Sequence, residues 1–276
     1  MLKGMNAAHQ LHNAARKYCI DRYAHWCAEY QKLSERGRAR IGSGYSDEAY
    51  DIFPRYNVLS AILTEIERID SDDLPDYSAL SDLLILAGHT ASSPFTEKPH
   101  SNIEAAAIAD ERLKFAAAVQ GFTLDSLAKI PMLPYRRVLS SKEVVPLWEQ
   151  AKQRWAADGS YFYPLAERTD ASLWAFDAAA FHREFPPKRL QDILRSWGIK
   201  RLYELREYGA NNYLLSTDAW DPAYDGAEGF WFTSSFDWIM YASHEGSITT
   251  GGTLTDVILS EWKASYQHQW TLGTNG

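Results

Sequence analysis

The sequence predicts an α+β fold, on three observations. Through the first 130 residues apolar side chains recur every third or fourth position. Beyond them, short apolar or alternating runs are punctuated by Gly, Pro and Asp. Nine of the ten Trp also lie in this second half, which gives it an aromatic core of its own. The expected organisation is an all-helical domain over 1–130, followed over 131–276 by an aromatic-rich α+β domain with an acidic C-terminal part. The second domain should hold a mostly antiparallel sheet with helices on one side of it.

The first helix is expected from about Met5 to Glu35, with Leu11, Ala15, Tyr18, Arg22, Trp26, Glu29 and Leu33 on one stripe. Arg36, Arg38 and Arg40 lead into a flexible loop at Gly42-Ser43-Gly44. The arginines either oppose the dipole at the helix end or, beside Tyr45 and Tyr50, touch phosphate. A second helix runs from Ser46 or Asp47 to Ile69, with Pro54 expected to kink or restart it. A third opens at Pro75 or Asp76 and is stopped by Gly88. Ser101 and Glu104 have the spacing of a capping box for a fourth.

In the second half, Tyr135–Leu139 reads as a strand and Lys142–Ala157 as a helix. Tyr161–Leu165 and Leu173–Phe176 read as strands, and Pro186-Pro187 starts a helix. Arg201–Glu207 alternates as a strand does, and Tyr213–Leu215 is its expected partner. From Glu228 to Gly252 the pattern EGFWFTSSFDWIMYASHEGSITTGG predicts a three-stranded meander, with a last helix over Leu254–Gln267.

The chain has 276 residues and a net charge of −8. From Tyr208 to the end, eight acidic residues stand against Lys263 alone, which disfavours nucleic acid and suits a basic partner. Cys19 and Cys27 lie about 12 Å apart along one helix, too far to bridge within it. With no apolar run of about 20 residues and no leader-like N-terminus, a cytoplasmic protein independent of membranes is expected.

No motif for nucleotides or for an activated serine occurs. His9 and His12 have a ligating spacing on the first helix, yet neither His25 nor the two cysteines join them in register, so neither metal nor cofactor is expected. Chemistry-bearing side chains crowd the meander. Ser243, His244 and Glu245 are consecutive and cannot form a triad among themselves, because neighbouring strand residues face opposite ways. Should His244 act as an acid or base, its partner comes from Asp237, Glu228 or Asp225. One reading is therefore a hydrolase- or transferase-like enzyme, with Asp237 orienting His244 and the Gly251-Gly252 backbone holding an oxyanion. In the structural alternative, Ser243 and Glu245 bond the turn and His244 packs on Trp238 or Trp231.

The segment FDWIMYASHEGSITTGG, with EGFW before it, resembles the C-terminal part of bacterial proteins of the immunity type, encoded beside polymorphic toxins. The resemblance implies a non-enzymatic protein that binds and neutralises a partner. The acidic tail agrees with a basic protein such as a toxin as that partner. Asp221, Asp225 and Glu228 would supply the charge, with Trp220, Trp231, Trp238 and Tyr241 as interface anchors.

Overall fold

A computed structural model describes residues 7–42, 44–159, 162–166, 172–207 and 210–270. The chain is α+β and divides into two compact units, 1–133 and 134–276. The division falls three residues beyond the expected one. The Asn13 amide donates to the Pro131 carbonyl (3.0 Å) and accepts from the Leu133 N–H (2.8 Å), which ties that segment to the first helix.

The first unit contains helices α1 (Ala7–Glu35), α2 (Asp47–Arg68), α3 (Tyr77–Thr90), α4 (Asn102–Gly121) and the short α5 (Leu124–Leu127). Leu11, Ala15 and Cys19 of α1 pack with Val58, Leu59, Ile62 and Ile66 of α2, and with Leu80, Leu84 and Phe115. Two ion pairs reach into this core: Arg16 meets Glu67 at 2.9 Å, and Arg22 meets the fully buried Glu111 at 2.6 Å. Helix α2 runs through Pro54 as one helix. Its buried stripe beyond Pro54 outweighs the lost backbone bond, whose cost with the ring clash is about 3 kcal/mol.

Gly88 does not stop α3, which continues to Thr90. A Cβ at Gly88 would lie 2.6 Å from the Phe115 ring, so the glycine allows the close approach of α4. Arg112 of α4 then caps the end of α3, donating to the carbonyls of Gly88 (2.8 Å) and Ala91. The expected loop after α1 forms a small hairpin, β1 (Arg40–Ile41) with β2 (Gly44–Tyr45), Ser43 lying outside the described residues. Arg38 pairs with Glu48, and Arg40 stacks on Tyr45 at 5.0 Å.

The second unit is built on β3 (Arg136–Val138), β4 (Leu173–Asp177), β5 (Arg201–Arg206), β6 (Tyr213–Ser216), β7 (Gly229–Phe232), β8 (Trp238–Ala242) and β9 (Ser247–Gly252). They form one antiparallel sheet in the order β3-β6-β5-β7-β8-β9-β4, with the predicted meander at positions four to six. Its helices are α6 (Ser141–Trp155), α7 (Ala178–Glu184), α8 (Pro187–Ser196) and α9 (Thr253–Glu261). Three local expectations change. Phe162–Leu165 forms no strand, and Tyr161 lies outside the described residues; α7 is an addition; and the last helix ends at Glu261, before a 3-10 turn at Ser265–His268.

Helices cover both faces of the sheet, where one was expected. On one face Trp231, Trp238, Met240 and Ile248 pack against Phe181, Leu190, Leu194, Leu254 and Ile258 of α7, α8 and α9. On the other, Phe230, Phe232, Ile239 and Tyr241 pack against Leu147, Ala151 and Trp155 of α6. Every residue of β7 and β8 is buried, so their side chains alternate between two cores instead of between core and water.

Candidate functional site

The residues singled out by sequence fall at the two ends of β8. His244 follows its C-terminal end, in the turn between β8 and β9. That turn is closed by Gly246, whose φ of +74° suits glycine, and by the Ser247 N–H donating to Ser243 Oγ at 3.2 Å. Ser243 and Ser247 hydroxyls meet at 2.7 Å, so Ser243 is a buried turn residue with its bonding used internally.

Glu228, two residues before Phe230, continues that face of β7 past the strand's start. Only 2% exposed, it sits beneath His244, with its Oε1 2.5 Å from Nδ1 and its other oxygen accepting the Tyr241 hydroxyl. Glu245 lies 3.2 Å from His244 Nε2. The Glu228 bond, aided by the charges of Glu228, Glu245 and Glu207, raises the His244 pKa above the ordinary imidazole value. The Tyr241 hydroxyl is pushed far up, first by burial and then by Glu228. Both ring nitrogens thus face carboxylates, which favour the charged form of the ring and tie it to the turn. Glu228 holds one ring nitrogen from within the fold, and the exposed Glu245 faces the other.

Asp237 precedes the N-terminal end of β8, and the strand between it and His244 spans about 17 Å. It therefore cannot orient His244, a role held by Glu228. Gly251 and Gly252 pair with Ile239 and Trp238, also at the Asp237 end. A Cβ on Gly251 would meet Leu173 at 2.7 Å, and one on Gly252 the Asp237 carbonyl at 2.1 Å, so these glycines serve close backbone packing. The constellation His244, Asp237 and Gly251-Gly252 is not assembled. His244 also packs on neither Trp238 nor Trp231; the ring it meets among the described residues is Tyr224, at 6.5 Å.

The four expected interface anchors are core residues. Trp220, Trp231 and Tyr241 are 0% exposed and Trp238 1%, and the Trp231 N–H donates to buried Glu204 at 3.0 Å. Glu228, being buried, is likewise no surface charge. Asp225 is exposed but paired with Arg206, and Asp221 is exposed without an ion pair among the described residues. Of the other tail acids, Asp218 pairs with Arg195 and Glu261 with Arg189 (2.8 Å). The partners come from α8 and β5, ahead of the acidic stretch. Residues 134–276 hold 14 Lys and Arg against 18 Asp and Glu, so most of the tail's charge is answered within its own unit.

Asp237 and Asp256 are the exceptions that share a place. Both are exposed, both lack an ion-pair partner among the described residues, and both line a cleft of about 760 Å³ at the N-terminal end of β8. Its walls also carry the hydroxyls of Thr233, Ser234, Ser235 and Thr253, and Trp197, which is 38% exposed. Arg201 also lines the cleft, and its guanidinium stacks on Tyr135 at 3.6 Å. Sequence reasoning named Asp237 but missed Trp197 and Asp256, which are 59 residues apart and meet only through the fold.

In the first unit, His12 Nε2 lies 3.0 Å from the Ile66 carbonyl, and burial lowers its pKa to about 4. It is a neutral core residue. Cys19 is buried, its thiol pushed well up by desolvation. Among the described residues no group of His, Cys, Asp and Glu is arranged to hold a metal ion, and no helix is long and apolar enough to cross a membrane. Comparison of the chain with family models, curated proteins and solved structures returns no match.

Proposed function

We propose that this chain is an immunity-like protein that binds and neutralises a basic protein such as a toxin, and that the Asp237–Asp256 cleft receives a cationic side chain of that partner. The observation that carries this reading is the pair of unanswered carboxylates in one cleft beside a half-exposed tryptophan. An Arg or Lys entering there gains two charge-assisted contacts, and a guanidinium over the Trp197 indole adds about 0.5–2 kcal/mol. The hydroxyls around them take up its remaining N–H donors. Trp197 thus takes the anchoring role first expected of the buried aromatics. No cofactor enters into this reading.

The test is retention of a partner from native cells by the intact chain, followed by reconstitution with that partner purified. One basic protein should be held at low salt and released as ionic strength rises. The Asp237→Asn, Asp256→Asn double variant should lose it while melting normally. Partner retention that ignores both salt and these two substitutions would sink the assignment of the cleft.

A further inference from the structure

A second cleft, of about 490 Å³, lies in the N-terminal unit and is walled by the Tyr and Phe rings of Tyr30, Tyr45, Tyr50, Phe53, Tyr56 and Phe95, with His100 also lining it. They come from α1, the hairpin, α2 and the segment between α3 and α4. Tyr45 and Tyr50 meet edge to face at 6.1 Å, as do Tyr30 and Tyr56 at 6.2 Å, while Phe53 is tilted against both Tyr45 and Tyr50. Phe95 is 74% exposed and contributes an open ring to the cleft wall.

Glu104 lines the same cleft at 3% exposure. The predicted capping box forms in altered register. Ser101 Oγ accepts the Glu104 N–H at 3.2 Å, but Glu104 reaches back to the N–H of His100 (2.6 Å, through Oε2) instead of that of Ser101. Its second oxygen, Oε1, is buried and receives no hydrogen bond among the described residues. An unmet buried acceptor costs about 1–3 kcal/mol, and more when it carries charge.

A negative oxygen and ring faces of negative potential together select a cation that also has apolar surface to bury. An anion would be repelled by Glu104, and a neutral apolar ligand would leave Oε1 unbonded. One cation already uses this wall, the Arg40 guanidinium on Tyr45. The volume suits a small molecule or a single side chain.

We propose that this cleft binds an alkylammonium group bearing at least one N–H, its methyl or methylene groups against the rings and its N–H donated to Glu104 Oε1. Such a head occurs on free methylated amines and on mono- or dimethylated lysine side chains. The site is independent of the acidic cleft of the C-terminal unit.

The experiment is calorimetric titration of the full chain with trimethylammonium, with tetramethylammonium, which lacks the N–H, and with neutral 3,3-dimethylbutan-1-ol. Trimethylammonium should bind saturably, tetramethylammonium at least about five-fold more weakly, as loss of one charge-assisted hydrogen bond requires, and the alcohol not at all. Glu104→Gln should narrow the preference for a charged head to what the ring faces supply, and remove the advantage of trimethylammonium over tetramethylammonium. Phe95→Ala, at an exposed position, should weaken binding with an unchanged melting temperature, and this keeps the test decisive if Glu104→Gln disturbs the α4 cap. Equal affinity for the alcohol and the amines, or no saturable binding of either ammonium, would overturn the proposal. A dimethyllysine peptide binding more tightly than free dimethylammonium would assign the ligand to a protein side chain, and the reverse to a small molecule.

Discussion

The two ends of strand β8 carry the same kinds of side chain and differ in whether their charges are answered. At the C-terminal end, Glu228 holds the Tyr241 hydroxyl and the His244 ring, while Glu245 faces that ring from its other side. At the N-terminal end Asp237 and Asp256 face a cleft with no cation paired to them among the described residues. A carboxylate whose acceptors are filled from within is part of the scaffold, because removing it strands its donors. One left unanswered at a concave surface adds little to folding and is available to a partner. In a stretch with so many titratable groups, pairing separates the charges used by the scaffold from those left open better than proximity in sequence does.

The difference can be tested from its largest expected effect downward. Glu228→Ala strands the buried Tyr241 hydroxyl and releases His244, and should cost about 3 kcal/mol in chemical denaturation. Asp237→Ala should stay within about 0.5 kcal/mol; similar losses at the two ends would erase the distinction. Next in size is Trp231→Phe compared with Trp238→Phe. Both remove the same ring volume from one core, but only Trp231 donates to Glu204, whereas the Trp238 N–H is buried and meets no acceptor among the described residues. The Trp231 variant should therefore be the less stable by about 1 kcal/mol.

A smaller effect is expected from His244 and pH. Its folded pKa lies above the unfolded value of about 6.5, so its stabilising contribution is complete below that pH and fades as pH rises through the folded pKa. The side chain is 43% exposed, so solvent screening limits the effect to about 0.5 kcal/mol. It would be read as a stability gap between wild type and His244→Gln that is wider at pH 6 than at pH 9. The double variant Asp237→Asn, Asp256→Asn should change stability least of all, while abolishing retention of the basic partner.

Much of the fold was legible in the sequence because it rests on local patterning. The stripe from Val58 to Ile66, the Ser101 cap and the three strands of the meander each follow from a few adjacent residues. The covering of both sheet faces also had a signal. Gly229–Phe232 and Trp238–Ala242 are unbroken apolar runs, the mark of strands buried on both sides, whereas a sheet with one wet face requires alternation. The buried tryptophans were misassigned for a related reason: aromatic composition is the same in a core and in an interface, and only burial separates them. Gly88 has the composition of a helix stop, and its role in passing Phe115 depends on a residue 27 positions away.

By itself, the sequence determined the α+β class, the helical first half, the meander and the acidity of the last stretch, since each is a property of neighbours along the chain. Tertiary structure alone decided which charges remain open. Strand register sets Glu228 under His244, sixteen residues away, and α8 and β5 bring Arg189, Arg195 and Arg206 to the tail's acids. Coulomb energies and hydrogen bonds depend on distance in space, and a chain that folds back on itself sets those distances independently of separation in sequence.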